Sequence, residues 1–163
     1  MSGMFFRTEQ SYDAAPDAVL AMLSDPAFRE QVCAAQHVVS CDVRIDLAGA
    51  GFIAVVETEQ NTSGLPSIAK KFVGETTTAI ITETWKDGSG GTVEIKAPGK
   101  PTDVSGTISL LEAGAGTTEV VELNVKVKVP LIGGKLEQLV VDSIRAGYVV
   151  EQRVGAAWLA GER

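Results

Sequence analysis

Apolar and polar side chains alternate with a period of two through most of the chain. In the cleanest run, His37 to Leu47, Val43 and Ile45 share one face with the other apolar residues, while Asp42 and Arg44 lie on the opposite face. One packed face and one solvated face are typical of antiparallel strands. The pattern predicts seven strands, over residues 4–12, 37–47, 52–60, 75–85, 92–97, 104–111 and 118–129.

Two short helices are predicted between the first and second strands. Pro16 stands where a helix begins, and Asp25-Pro26 interrupts the helical stretch that follows. We therefore expect one helix over residues 17–24 and another over residues 27–35.

A long helix is predicted at the end of the chain, from about Gly134 to Ala160. Pro130 ends the last strand, and no proline occurs beyond it. A helix of about 27 residues, rising 1.5 Å at each, spans about 40 Å and could lie across a whole sheet. Its predicted apolar stripe consists of Leu136, Leu139, Val140, Val150, Val154 and Trp158.

Two small residues, Ser143 and Gly147, lie on the line of this helix that should face the sheet. Glycine inside a helix is less favourable than alanine by about 1 kcal/mol, so a packing reason is expected for it. Either the helix approaches the sheet closely at these positions, or a cavity lies beneath its middle, with Tyr148 and Glu151 at the margin. The sequence leaves both alternatives open.

The strand over residues 75–85 is ambiguous about which of its faces is buried. One face carries threonines and Ile80, and the other carries two glutamates and Trp85. The glutamates favour an inward threonine face, which would place the hydroxyls of Thr78 and Thr82 in the interior. Buried hydroxyls need hydrogen-bond partners, which a ligand, ordered water or the backbone could supply.

The segment of residues 61–74 is longer than a tight hairpin requires. Leu65, Ile68, Ala69 and Phe72 have helical spacing within it. The segment could act as a lid at the mouth of a cavity, or it could simply pack at the edge of the sheet.

The order of the predicted elements indicates the architecture. A seven-stranded antiparallel sheet with so little helix can bury a face only by curling around the C-terminal helix. We predict an α+β fold in which a seven-stranded curved antiparallel sheet wraps around a long C-terminal helix, with two short helices after strand 1. No linker divides the chain, so residues 1–163 are expected to form a single domain.

The chain resembles the helix-grip fold of the START/SRPBCC superfamily, which holds lipid-transfer domains, polyketide cyclases and plant hormone receptors. Within it, the chain is similar to an actinobacterial family, the domain of unknown function 2505. The likeness covers essentially the whole chain, and its motifs mark architecture rather than chemistry. They are Phe5-Phe6, Leu65-Pro66, Phe72-Val73-Gly74, Glu83-Thr84-Trp85 and Pro130-Leu131-Ile132-Gly133-Gly134-Lys135-Leu136-Glu137.

The resemblance, the small residues on the long helix and the lack of a catalytic grouping lead to one functional prediction. We expect a non-catalytic binder or carrier of a hydrophobic or amphipathic small molecule, lipid-like or polyketide-like, held in an internal cavity. No catalytic residue and no cofactor are predicted. The predicted ligand-binding residues are Phe6, Tyr12, Thr78, Ile80, Thr82, Ser143, Gly147 and Tyr148.

Two other functions remain open. An enzyme of the cyclase or isomerase kind could use the same cavity, with Tyr12, His37 or Glu151 as acid or base. That alternative requires at least one of the three to point into the cavity near another polar group. A protein-interaction module is the third candidate, and a filled interior with a large exposed apolar patch would favour it.

Charge and composition narrow the set of partners. Fourteen Lys and Arg against 21 Asp and Glu give a net charge of −7. This balance argues against nucleic acid and anionic membrane surfaces, both of which require a basic face. No apolar run has the length of a signal peptide or a membrane span, so we expect a cytoplasmic protein without stable membrane insertion, as a monomer or homodimer.

The reactive residue types are few. His37 lies at the start of a predicted strand, roughly 13 Å from Cys41 on the same face, which is too far for direct activation of the thiol. A structural histidine is therefore the better interpretation, and Cys33 and Cys41 are expected to act as small apolar side chains. The carboxylates that share a face are on the solvated side of the strands, which argues against a metal site, and none is predicted.

Overall fold

Seven strands and four helices make up the part of the chain, residues 3–162, that the computed structural model describes. The strands are β1 (Met4–Tyr12), β2 (Ser40–Ala48), β3 (Gly51–Asn61), β4 (Thr76–Asp87), β5 (Gly90–Lys96), β6 (Thr102–Ala113) and β7 (Gly116–Val127). The helices are α1 (Pro16–Leu23), α2 (Pro26–Ala35), α3 (Ser67–Val73) and α4 (Gly133–Leu159).

The strands form one antiparallel, open and curved sheet in the order β1-β7-β6-β5-β4-β3-β2. Strands β2 to β7 follow one another as a meander, whereas β1 pairs with β7, the last strand in the sequence. Met4 lies opposite Val125, and Tyr12 lies opposite Thr117. Strands β1 and β2, which are distant in the sheet, therefore form its two edges.

The predicted architecture is confirmed, and most boundaries agree closely. Helix α4 begins and ends one residue before its predicted limits. The second strand is an exception, because it begins at Ser40 and His37 lies in the turn after α2 with a positive φ of 57°. The alternation before Ser40 was therefore misleading, since it continued through a turn that breaks the strand.

Helix α4 packs against β1 and β7 and also contacts α1 and α2. Its buried residues include Val141, Tyr148 and Trp158, and Trp158 meets Phe28 edge-to-face with ring centroids 5.7 Å apart. The close approach of α4 to its neighbours occurs at Gly155, where a Cβ would stand 2.6 Å from Tyr12 Cε1. This glycine, near the C-terminal end of the helix, is the one that close packing requires.

The segment between β3 and β4 contains the short helix α3. Ala69 is buried there against Val127 of β7 and Leu136 of α4, with Leu65 packed beside them. This contact agrees with the packing alternative for residues 61–74. A lid function for the segment stays a prediction.

Candidate functional site

A cavity of about 490 Å³ lies between α4 and strands β3 to β5, with α2 and the turn after it on one side. Ligand pockets in proteins commonly have volumes of roughly 300–1,000 Å³. Ser143, His37 and Ala146 are exposed and mark its mouth, whereas Glu83, Tyr148 and Glu151 are buried and form what we call its inner end. We refer to it below as the central cavity.

Most of the surface of the central cavity is apolar. The aliphatic lining residues are Val32, Ala35, Val38, Val56, Ile81, Ile95, Ile144, Ala146 and Val150. Polar groups lie at the mouth and at the inner end, and Thr58 and Gln60 of β3 also border the cavity. The apolar surface is suited to the hydrocarbon portion of a molecule.

The structure divides the predicted ligand-binding residues into three groups. Ser143, Gly147 and Tyr148 line the central cavity. A Cβ at Gly147 would meet only Gln36 Nε2, at 3.3 Å, so this glycine borders open space. Phe6 and Tyr12 lie in the packed core, with exposed fractions of 2% and 3%, and neither borders the cavity.

The third group, Thr78, Ile80 and Thr82, lies on the face of β4 that does not border the central cavity, so the expectation of an inward threonine face is wrong. Glu83 and Trp85 are almost fully buried, and Ile81 lines the cavity. The physical reason is that Glu83 has a cationic partner inside the protein, which removes the argument for keeping that glutamate in water.

That partner is Arg29 of α2. Its guanidinium donates two hydrogen bonds to Glu83, from Nη1 to Oε2 at 3.0 Å and from Nη2 to Oε1 at 2.8 Å. A third goes from Nε to the Leu23 carbonyl oxygen at 2.8 Å, and Trp85 Nε1 donates to Glu83 Oε1 at 2.9 Å. The pair is bidentate and buried, and it ties α2 to the sheet at the inner end of the cavity.

A second buried polar group joins α4 to β1 and β7. Glu119 of β7 is completely buried and accepts a hydrogen bond from Gln10 Nε2 at 3.2 Å. The Oε2 atoms of Glu119 and Glu151 are buried and receive no hydrogen bond from a protein donor in the described residues. Two carboxylates are both acceptors, so these side chains can pair only when one of them carries a proton.

The pKa directions agree with such a shared proton. Burial raises the pKa of Glu119 well above its ordinary value, and the charges of Glu151 and Glu83 raise it further. Burial also raises the pKa of Glu151, to about 7, although Arg29 opposes the change. Glu119 and Glu151 can therefore share a proton near neutral pH, and the two groups titrate as a coupled pair.

The ion pair behaves in the opposite way. Burial alone would raise the pKa of Glu83, but the Arg29 charge and the hydrogen bonds from Arg29 and Trp85 lower it below its ordinary value. Burial likewise opposes the charge on Arg29, yet Glu83 raises the Arg29 pKa overall. Arg29 and Glu83 are therefore both ionised, and they neutralise each other at the inner end.

The phenols lie in the same environment. Burial raises the pKa of Tyr12, and the Glu151 and Glu119 charges add to the effect. Burial also raises the pKa of Tyr148 well above its ordinary value, and Glu83 and Glu151 contribute. Both groups stay protonated, and the Tyr12 hydroxyl has no hydrogen-bond partner among the described residues.

The two cysteines differ from one another. Cys33 is buried and lines the central cavity, and burial, with a hydrogen bond from its thiol to Cys41, raises its pKa to about 12. A thiol with so high a pKa is a poor nucleophile. Cys41 is exposed, so the expectation that both cysteines act as buried apolar side chains holds for Cys33 alone.

Arg29, Glu83 and Glu119 were not among the predicted site residues, although the period-two alternation of β4 and β7 indicated that the two glutamates are buried. Glu119 has the same parity as the buried apolar residues Val121 and Leu123, and Glu83 has the parity of the buried Trp85. A glutamate on the packed face of a strand indicates a buried partner.

Residues 3–162 contain neither a metal-binding cluster nor a membrane-spanning helix. No group of three or more His, Cys, Asp or Glu side chains is placed to hold a metal ion there. Within the same residues, no helix combines the length and the apolar character that crossing a membrane demands.

The curved sheet, the long C-terminal helix and the cavity between them define a helix-grip architecture, as in START proteins. The chain belongs to the family described as "Protein of unknown function (DUF2505)", whose model matches residues 7–159. No curated protein matches the chain.

Solved structures show the same fold at low sequence identity. A Thermus thermophilus protein, TTHA0849, is 18% identical over 97% of this chain and 98% of its own, with a TM-score of 0.66. A START superfamily protein from Mycobacterium smegmatis is 14% identical over 93% and 97% of the two chains, with a TM-score of 0.59. The di-domain ARO/CYC protein StfQ of the steffimycin biosynthetic pathway is 13% identical over 96% of this chain and 50% of its own, with a TM-score of 0.68.

Proposed function

We propose that this protein binds a hydrophobic or amphipathic small molecule in the central cavity and holds it without chemical change. The observation that carries the proposal is the cavity itself, with a volume of about 490 Å³, an aliphatic wall and a polar inner end. Such a combination binds a hydrocarbon portion by burial and orients it through a few polar contacts. The similarity in fold to START and ARO/CYC proteins supports the same function.

The residues assigned to the ligand are those of the predicted set that border the cavity. Ser143 lies at the mouth, Gly147 leaves open space beside Gln36, and Tyr148 presents a phenol at the inner end. We place the function in the cytoplasm, in a single-domain protein that acts as a monomer or homodimer.

The first experiment asks whether the cavity binds an apolar molecule. N-phenyl-1-naphthylamine, an uncharged fluorophore, is titrated into the purified protein, and native mass spectrometry of fresh protein checks for a retained molecule. Gly147→Leu fills part of the cavity and should weaken probe binding by about tenfold or more. Gly134→Leu makes the same change in the first turn of α4, where an added Cβ would meet no atom of another part of the protein within 4 Å, and should leave binding unchanged.

Two outcomes would contradict the proposal. One is the absence of both probe binding and a retained molecule in the wild-type protein. The other is equal weakening by both leucine variants, because the probe would then bind outside the central cavity.

One observation favours a second function, a cyclase or isomerase that uses the same cavity. Glu151 borders the cavity with a pKa of about 7, and Tyr148 and Glu83 lie at the same inner end. A carboxyl that titrates near neutral pH is suited to general acid–base catalysis. His37 also borders the cavity, at its mouth, whereas Tyr12 does not.

The two functions differ in what Glu151→Gln would retain. A carrier and its variant should bind the same compound from the producing cell. An enzyme should retain product, whereas the variant should retain unconverted substrate. Chromatography of the extracted compounds distinguishes the cases even when substrate and product are isomers.

A further inference from the structure

The polar groups at the inner end of the central cavity select the chemistry of the molecule that can enter. Four ionisable side chains, Arg29, Glu83, Glu151 and Glu119, lie in or directly behind this end. Three are acids and one is a base. The arrangement of their hydrogen bonds decides which of them can act on a ligand.

Arg29 is a poor anion-binding group, because three of its five N–H groups and its charge are already used within the protein. Both terminal nitrogens are directed at the Glu83 carboxylate, and Nε is bound to the Leu23 carbonyl oxygen. The Glu83 charge neutralises the guanidinium, so an entering anion gains little from it. Moving Arg29 toward a ligand would leave a buried carboxylate unpaired, which is strongly unfavourable.

Glu83 is likewise largely engaged. Its Oε1 accepts from Arg29 and from Trp85, and its Oε2 accepts from Arg29. These contacts occupy three of its roughly four acceptor positions. Of the acids that line the cavity, Glu151 therefore has the most acceptor capacity left over.

Glu151 is buried to more than nine-tenths and borders the cavity, and among the described residues its carboxyl has a side-chain hydrogen bond with Glu119 and accepts none from an amide, hydroxyl or cationic donor. Glu119 behind it can supply one proton, but a carboxylate has about four acceptor positions. A buried acceptor without a partner is unfavourable, and a donor on a ligand would remove that penalty.

We propose that the ligand of the central cavity carries a hydrogen-bond donor, a hydroxyl or a protonated amine, at its buried end and that this donor binds Glu151. The inference rests on the proposed function and names the class of molecule within it. A molecule with a carboxylate at this end, such as a fatty acid, should bind less well, because its charge would lie beside the ionised Glu151 while the Arg29 charge is already paired with Glu83. The single donor of the Tyr148 phenol does not offset that repulsion.

The test uses three molecules with the same ten-carbon chain: decan-1-ol, decylamine and decanoate. Isothermal titration calorimetry is run below the critical micelle concentrations at about pH 8, above the Glu151 pKa of about 7. We expect decan-1-ol and decylamine each to bind at least about tenfold more tightly than decanoate.

Glu151→Gln assigns the effect to one side chain. The variant should bind decylamine about tenfold more weakly, bind decan-1-ol within about threefold of the wild type, and bind decanoate more tightly. Asp142→Asn removes an exposed carboxylate from the same helix and should change none of the three affinities.

The outcomes separate the two proposals. Equal or tighter binding of decanoate than of decan-1-ol by the wild type would overturn the donor class and leave the binding function intact. Unchanged affinities in Glu151→Gln would overturn the role of that residue. If none of the three compounds nor the fluorophore binds, the proposed function fails, and the donor class fails with it.

Discussion

Glu151 combines a position at the cavity with a partner in the core. Its neighbours come from four elements as well as its own: Tyr12 of β1, Arg29 of α2, Glu83 of β4, Glu119 of β7 and Tyr148 of α4. Burial favours the protonated form of the Glu151 carboxyl and the Glu83 charge adds to this effect, while the Arg29 charge and the hydrogen bond with Glu119 oppose it.

The raised pKa of Glu151 predicts that the unfolding free energy decreases as the pH rises. A carboxyl whose pKa is higher in the folded than in the unfolded protein stabilises the native state at pH values below its unfolded pKa. That contribution is lost as the pH rises through its folded pKa. For Glu151 the interval runs from 4.5 to about 7. At about 1.4 kcal/mol per pH unit, the effect is on the order of 3 kcal/mol, and Glu119 acts in the same direction.

Urea denaturation at a series of pH values tests this prediction. The unfolding free energy of the wild type should decrease between about pH 5 and about pH 8, and that of Glu151→Gln should decrease less. Glu112→Gln, an exposed carboxyl on β6, should follow the wild-type curve. A wild-type stability that increases over this range would contradict the raised pKa.

Two glycines of α4 should respond in opposite ways to substitution by alanine. Gly155→Ala places a Cβ 2.6 Å from Tyr12 Cε1 and 3.2 Å from Met22 Cε. This overpacking should lower the unfolding free energy by about 1–2 kcal/mol, despite the better helix propensity of alanine.

Gly147→Ala is the matched change two turns earlier. Its Cβ would meet only Gln36 Nε2, which donates to the Gly147 carbonyl oxygen at 3.2 Å and must shift slightly, so the propensity of alanine should outweigh this cost and raise stability by up to about 1 kcal/mol. Thermal denaturation of both variants measures the contrast. Destabilisation of the two by the same amount would show that α4 packs equally closely at both positions.

At the scale of elements, the Arg29–Glu83 pair connects helix α2 to strand β4 at the inner end of the cavity. Arg29→Met leaves the Glu83 carboxylate buried without a counter-ion and should lower the unfolding free energy by about 3–5 kcal/mol. Adding Glu83→Gln removes that charge and keeps an acceptor for Trp85 Nε1. The double variant should therefore be more stable than Arg29→Met alone.

An exposed ion pair supplies the control. Lys128 Nζ lies 2.8 Å from Asp103 Oδ2, and both side chains are mostly exposed. Lys128→Met should change the urea midpoint only slightly, because solvent screens such pairs. A double variant less stable than Arg29→Met would contradict the argument that the unpaired charge causes the loss.

The elements could be predicted because each depends on local pattern. Alternation, turn glycines and a run without proline defined the strands and α4 to within a few residues. The buried charges could not be predicted in this way. Arg29 and Glu83 are 54 residues apart, and only the folded sheet brings them together. The face of β4 was assigned wrongly for the same reason.

At the scale of the molecule, ligand binding should be visible as added stability. A ligand present at about 100 times its Kd contributes about 2.7 kcal/mol. For a chain of this length, that corresponds to an increase in Tm of roughly 5–10 °C. Saturating decan-1-ol should produce such a shift in the wild type and a much smaller one in Gly147→Leu, and equal shifts in both would place the ligand elsewhere.

The overall shape was predictable because few arrangements bury one face of seven strands with one long helix. The volume of the cavity could not be predicted in the same way, because it depends on the sizes of the side chains that meet inside the sheet. From Ser143 and Gly147, the sequence indicated either a cavity or a close approach of α4 to the sheet. The structure shows a cavity at Gly147, and the close approach occurs at Gly155 instead.

The pairing of β1 with β7 has a consequence for biosynthesis. Met4 leaves the ribosome more than a hundred residues before Val125, its neighbour in the sheet. Throughout that interval the nascent chain carries β1 without its partner β7, and α4, whose Arg145 lies over the Phe6 ring, is made later still. The meander of β2 to β6 can assemble during translation, whereas closure of the hydrophobic interior must wait until β7 and α4 have been made.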